Sequence, residues 1–283
     1  RAYVGGTSGL IYGYVNDGFY TVADFESFDS KSRTWKLKEG VVDSSPLSDT
    51  PRPGNAKFKK LTPVDPNSTN PYQLTEADRT VIGNTTPKFS GGFGLNATYK
   101  GFDMSMFFNF MYDFDVLNAN KIMLTTWADN KENNFLMDIA SDKRWRNFDD
   151  MGNEIRYSPE VLAEFNKNAT MWNPTSIGRP ICMSYAVEDG SFLRLNSATL
   201  GYTLPSVWTK KVGLSKVRFY VSGNNLFTLT GYSGYDPEVN IATGLTPNID
   251  YNRYPRSRTY TFGAQLTSVS YTHLRAHETD QYL

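Results

Sequence analysis

The sequence predicts an all-β chain of long antiparallel strands, and three observations carry that prediction. From Phe89 to Tyr99, the side chains Phe89, Gly91, Phe93, Leu95, Ala97 and Tyr99 alternate with Ser90, Gly92, Gly94, Asn96 and Thr98, a period of two that only a strand presents. From Phe102 to Phe114 the pattern returns, with Phe102, Met104, Met106, Phe108, Phe110, Tyr112 and Phe114 opposite Asp103, Ser105, Phe107, Asn109, Met111 and Asp113, and Lys100–Gly101 turning the chain between the runs. Third, 18 Tyr, 18 Phe and 5 Trp enrich the chain in residues that favour pleated surfaces and membrane interfaces. Two architectures fit. A tilted strand needs roughly 9 to 11 residues to cross a bilayer core, so an aromatic face opposite a Ser/Asn/Asp face suits an antiparallel transmembrane β-barrel. A hairpin of a large soluble β-sandwich fits the same alternation.

Composition narrows the function classes. The 29 basic and 29 acidic residues cancel, so no global field argues for nucleic acid or for an anionic membrane surface. Mean hydropathy is negative and no apolar run approaches the ~18 residues of a membrane helix, which leaves barrels open because only alternate residues meet lipid. Cys182 is the single cysteine, so an intrachain disulfide and a thiolate cluster are both excluded. Residues 1–267 contain no histidine, which removes imidazole bases and Ser/His triads from that stretch. Gly5, Gly6 and Gly9 lack the Lys and flanking elements of a phosphate loop, and no cofactor is implied. The chain opens at Arg1 with neither an initiator Met nor a signal pattern, and is expected to begin inside a longer protein.

Taken in order, Gly9–Tyr20 is a Tyr/Gly-rich strand with a turn at Asn16–Gly18. Residues 21–87 carry Asp, Ser and Pro clusters and read as a long surface excursion. Their one short strand, Ala56–Leu61, is expected to be exposed because of Lys57, Lys59 and Lys60. After the Phe89–Phe114 hairpin, residues 115–190 interrupt the strands. Asn118–Asn130 and Phe135–Trp145 have helical character, and Pro159–Asn166 begins a short helix behind Ser158. Ser191–Tyr202, the strand around Val217–Ser222, and Tyr260–Leu266 complete the set, with Gly231–Arg256 as a second long loop.

The loops supply the candidate contacts. Trp127, Trp145, Trp172, Tyr232, Tyr235 and Arg253 lie beside Asp and Asn residues, a mixture that sugar recognition or a protein lid would use. Packing competes for each of them, since a loop this large needs a small core of its own. Asp149 with Asp150 and Asp236 with Glu238 are the carboxylate pairs, but a glycosidase needs two carboxylates facing across a cleft, so they read as turn formers and no enzyme is expected.

The segments PGNAKFKKL (53–61), DRTVIGNTTPKFSGGF (78–93) and YKGFDMSMFF (99–108) closely resemble the C-terminal part of the SusC/RagA family of TonB-dependent outer-membrane transporters. So do VEDGSFLRLNSATLGYTLP (187–205), VRFYVSGNNLFTLTGYSGYDPEV (217–239) and YPRSRTYTFGAQL (254–266). The resemblance implies the last strands of a barrel of about 22 strands, with long extracellular loops containing short helices. It also implies active import of oligosaccharides or peptides across the outer membrane of a Gram-negative bacterium. The implied partners are a SusD-like surface lipoprotein, the TonB complex through a missing N-terminal part, and outer-membrane lipid; the alternative function is a secreted soluble glycan-binding β-sandwich. Where the family often carries a calcium-like loop, Asp65, Glu76 and Asp78 lack the alternating spacing and central Gly, so no dedicated metal site is expected. Residues 1–267 are expected to be the receptor segment. Residues 268–283 resemble a read-through tail, and their His273 and His277 lack the Glu of a zincin motif.

Overall fold

The computed structural model describes residues 8–126, 135–140, 142–239, 248–252 and 254–268. In chain order the strands are β1 (Leu10–Gly13), β2 (Asn16–Phe19), β3 (Phe25–Asp29), β4 (Thr34–Leu37), β5 (Ala56–Phe58), β6 (Thr80–Asn84), β7 (Phe89–Tyr99), β8 (Phe102–Tyr112) and β9 (Asp115–Asn118). Helices α1 (Ala119–Met123) and α2 (Pro159–Phe165) follow, then β10 (Val187–Asp189), β11 (Phe192–Thr203), α3 (Ser206–Thr209), β12 (Leu214–Thr230), β13 (Ile249–Asp250) and β14 (Thr259–Ser268). The chain divides into two compact units. One comprises Ser90–Phe110, Phe192–Leu229 and Arg256–Leu283; the other comprises Arg1–Phe89, Met111–Ser191 and Thr230–Pro255.

The first unit is a five-stranded sheet in the order β14-β12-β11-β8-β7. Lys100 (φ 46°) and Gly101 (φ 90°) make the two-residue turn from β7 to β8 with both residues left-handed, the primed geometry that matches strand twist. Gly101 has a second reason to lack a side chain: a Cβ there would lie 2.9 Å from the Thr203 carbonyl. Along β12 and β14 the ladder runs without a break from Lys216↔Thr267 to Asn224↔Thr259. Strand directions place the β7–β8 and β11–β12 connections at one edge of the sheet and every longer connection at the other.

The two faces differ as the alternation predicts. One shows Phe89 (65 % exposed), Leu95 (49 %), Phe102 (51 %), Phe219 (51 %), Phe262 (80 %) and Leu266 (62 %) to its surroundings. On this face the Phe93 and Phe108 rings stack at 4.9 Å, and Phe102 lies 4.5 Å from Tyr202. The opposite face carries an ion pair, with Arg218 Nε donating to Asp103 Oδ1 at 2.9 Å. Phe107 also belongs to that polar side; its ring covers Gly92, where a Cβ would come within 2.8 Å. Ten residues separate Phe102 from Tyr112; at about 3.3 Å per residue and about 40° of tilt they are about 25 Å apart along the membrane normal. That is the height of a barrel's apolar band, and aromatic rings mark both limits.

The second unit corrects the reading of residues 21–87. Tyr20, Ala56 and Phe58 are fully buried, and Phe25, Leu47 and Leu74 are nearly so. β5 is therefore a buried strand, pairing with β2 through Asn16↔Phe58 and Phe19↔Ala56. Asn16–Gly18 accordingly lies within an irregular strand instead of ending one, and Gly18 takes a φ of 77°. The lysines that suggested exposure point their ammonium groups at carboxylates. Lys57 Nζ lies 2.8 Å from Asp24 Oδ1 and Lys60 Nζ 3.5 Å from the wholly buried Asp78. Their stems cover apolar surface while each charge finds a partner.

Both carboxylates sit in a repeated Thr-x-Ala-Asp sequence, Thr21–Asp24 and Thr75–Asp78, in which the Asp side chain accepts from the backbone N–H of the Thr three residues earlier, at 2.7 and 2.8 Å. Asp78 also accepts from Leu61 N (2.9 Å), Thr62 N (2.7 Å) and Thr62 Oγ1 (2.7 Å). Burial by itself would raise the Asp78 pKa. The bonds from Thr62, Thr75 and Leu61 overcome it and hold the group far below the usual carboxylate range. With its oxygens occupied in this way, Asp78 fastens the 61–62 and 75–78 segments together.

Candidate ligand-binding surface

The two indoles predicted as contacts and described here are core residues. Trp172 is 1 % exposed, packed among Tyr14, Phe58, Leu74, Ile139 and Ile177. Its Nε1 donates to the Thr125 carbonyl at 3.4 Å, and Tyr185 meets its ring edge-on at 4.7 Å. Trp145, 2 % exposed, packs with Ile155 and Leu162, and Phe19 crosses it at 5.8 Å. Gly54 abuts the same ring at a φ of 87°, and any Cβ there would overlap Trp145. Trp127 and Arg253 lie outside the described residues.

The loop after β12 separates its tyrosines. Tyr232 is 6 % exposed and its hydroxyl donates to Asp250 Oδ2 at 2.7 Å. Burial, and then this carboxylate, push the phenol's pKa upward, so it stays a neutral donor. Beside it Glu188 fastens the loop to β9 and β10, accepting from Ser233 N (3.0 Å), Ser233 Oγ (2.8 Å) and Asn118 Nδ2 (3.2 Å), with Lys121 Nζ at 3.3 Å. Burial opposes the Glu188 charge, but the Ser233 bonds and Lys121 lower its pKa all the same. On this anchored base Tyr235 stands 79 % exposed, with Tyr251 at 52 % and Tyr254 at 89 %.

The carboxylate pairs are turn residues. Asp149 accepts from Met151 N, Asn153 N and Asn153 Nδ2 within its own loop, Asp150 pairs with Arg146 at 2.8 Å, and Asp236 accepts from Glu238 N. Cys182 is a free thiol whose pKa burial pushes up, which keeps it protonated. Among the described residues no group of three His, Cys, Asp or Glu is placed to hold a metal ion.

A second surface escaped sequence reasoning. A cleft of about 330 Å³ is lined by Arg33, Trp35, Arg52, Arg156 and Tyr157, and it adjoins one of about 470 Å³ that shares Asn147, Arg156 and Thr175. Three arginines, Arg33, Arg52 and Arg156, gather with Tyr157 in this cleft. They come from positions 33, 52 and 156, a spacing with no local pattern. The legible signal was the turn chemistry of Asp29, which accepts from Lys31 N (2.9 Å) and Ser32 Oγ (2.7 Å) and so shapes the β3–β4 tip that carries Arg33.

Antiparallel strands of ten to seventeen residues, with one exposed aromatic face and one polar face, define a stretch of transmembrane β-barrel wall. No family model matches the chain. The TonB-dependent receptor P3 of Formosa agariphila is 33 % identical over 264 residues, covering 91 % of this chain and 22 % of that receptor. The TonB-dependent receptor SusC of Bacteroides thetaiotaomicron is 37 % identical over 86 residues, 29 % of this chain and 8 % of SusC. Among solved structures, the RagAB peptide transporter superposes with a TM-score of 0.54 at 22 % identity, over 92 % of this chain and 23 % of that one. The chain belongs to the SusC/RagA family of TonB-dependent receptors. It spans about a fifth of the length of P3 and of the RagAB chain, as a C-terminal fragment would.

Proposed function

We propose that the receptor containing this segment actively imports oligosaccharides or peptides across the outer membrane of a Gram-negative bacterium. In this reading energy arrives through TonB, engaged by parts of the receptor outside this chain, and a SusD-like surface lipoprotein closes the extracellular mouth. Residues 1–267 are the contributing receptor segment and 268–283 a non-native tail; Ser268 is the last residue of β14, and 269–283 lie outside the described residues. The single observation that carries the reading is the aromatic and aliphatic face that stays exposed across the five-stranded sheet. Apolar area on that scale calls for lipid, whereas the rival soluble β-sandwich needs one sheet face buried.

Short connections at one sheet edge and long ones at the other orient the wall, long loops outward. On that orientation Tyr235 is the best-presented of the expected substrate or lid contacts, with Trp127 and Arg253 as further contacts. Trp145, Trp172 and Tyr232 hold the loops in shape. Transport requires no bond-making chemistry, and we assign none. The test is deletion of the receptor gene followed by uptake of fluorescently labelled oligosaccharides and peptides, together with detergent co-purification of a surface lipoprotein. Loss of uptake of one class, restored by the intact gene, is expected; undiminished uptake of both classes overturns the proposal.

A further inference from the structure

The cleft beside the β3–β4 hairpin concentrates positive charge in a chain that is neutral overall. Arg33, Arg52 and Arg156 line it against Asp49. Arg156 is paired with Glu154 at 2.5 Å, but Arg33 and Arg52, both exposed, make no ion pair among the described residues. Two guanidinium groups approach one ring: Arg33 at 4.6 Å from the Tyr157 centroid and Arg156 at 5.7 Å. Phe28 stacks on the same tyrosine at 6.2 Å. Like charges gathered on one side chain repel each other, and an anion between them converts that repulsion into binding.

The backbone adds an independent sign. Arg33 occupies the left-handed region, with a φ of 55°, at a hairpin tip where Gly or Asn would be less strained. Strain of this kind gathers at functional sites, and here it holds a guanidinium over Tyr157. The adjoining pocket adds Arg144 and Arg146, the latter paired with Asp150, together with Asp149. Thr34, Asn147 and Thr175 also line these clefts, neutral groups suited to ring hydroxyls.

Resting on the import reading above, we propose that this trough binds an acidic oligosaccharide, whose carboxylate or sulfate groups are held by Arg33, Arg52 and Arg156. The guanidinium fork matches either oxyanion, and a trough carrying arginines along its length suits charges on successive rings.

The test is calorimetric titration of the detergent-purified full-length receptor with four probes: tetragalacturonate, a sulfated galactan tetrasaccharide, neutral maltotetraose and tetraglutamate. At least one acidic saccharide should bind tenfold or more tightly than maltotetraose, with an affinity that falls as salt rises. The double variant Arg33→Gln/Arg52→Gln should remove that preference and its salt dependence, and Arg33→Lys/Arg52→Lys should restore part of it. An unchanged thermal melt and tryptic pattern establish that the variants fold. Equal binding of acidic and neutral saccharides overturns the proposal, as does an acidic preference that survives the double Gln variant. Tetraglutamate binding as tightly as the saccharides overturns it too, and assigns the trough to acidic peptides. Because binding is read without uptake, a receptor that transports but ignores charge refutes only this inference, and one that binds acidic saccharides without importing any refutes only the import reading.

Discussion

Placing a charge on the outward face of β8 tests the membrane assignment directly. Phe108 stands six residues beyond Phe102 on the same face, which puts it about 15 Å from the lower aromatic limit of a band about 25 Å high, close to the midplane. Arginine at that depth costs about 2–4 kcal/mol. The stack with Phe93 at 4.9 Å is lost as well, at about 1 kcal/mol. Phe108→Arg should therefore lower the folding equilibrium by at least roughly 30-fold. Asn109 is the neighbouring polar-face position, but it is half-buried and its Oδ1 has no hydrogen-bond partner among the described residues, so packing would confuse the comparison. Ser105, exposed on that same polar face, is the cleaner control, and Ser105→Arg should cost little. The assay is urea-driven unfolding of the full-length receptor in lipid vesicles, followed by gel mobility without heating. Equal tolerance of both substitutions would refute the lipid-facing assignment.

The loop unit offers sharper local tests. Asp78→Ala leaves Lys60 and the Leu61, Thr62 and Thr75 donors without their acceptor and should cost about 3–5 kcal/mol; it should be visible as faster hydrogen exchange at residues 59–62 and 75–79. The pH dependence has a fixed sign. Because the folded Asp78 pKa is depressed, its contribution is fully present above the unfolded value of about 4 and is lost as pH falls through the much lower folded value. Exchange protection of this segment should therefore hold at pH 4 and decline only under stronger acid; a midpoint near pH 4 would contradict the assignment. Gly54→Ala meets both a left-handed backbone and the Trp145 ring, and should open the loop core to protease. An unchanged tryptic pattern would mean that the ring can move aside.

The sheet was legible because every residue of a barrel strand reports its face. β7 and β8 carry their alternation over eleven residues each, and a one-residue slip would turn every side chain around. β12 was seen only in part. The sequence marks Val217–Ser222, but the strand runs from Leu214 to Thr230, since Gly223–Asn225 breaks the alternation while the ladder continues to Asn224↔Thr259. Residues 21–87 were misread for a different reason. Their core is assembled from isolated apolar residues such as Phe25, Leu47, Phe58 and Leu74, separated by turns, so no window shows a period. Lys57 and Lys60 look like exposure to a sequence reader because the acids that answer them lie 33 residues before and 18 after.

The same logic decides which loop aromatics the fold buries. Tryptophan is the most informative residue for packing, because nothing else fills a small core as fully, so a loop that must fold around its own centre spends its indoles there. Trp145 and Trp172 went inward, while Tyr235, Tyr254 and Arg33 stay exposed. Tyr235 and Arg33 show the consequence: contact candidates on this chain are found by asking which polar or aromatic side chain the fold keeps exposed when it had the means to bury it. Arg33 meets that criterion twice, through its missing counter-charge and its left-handed backbone, and neither property is readable from residue type. A neutral total charge therefore excludes a global field while leaving room for a local one, and the trough beside β3 and β4 is where this chain places it.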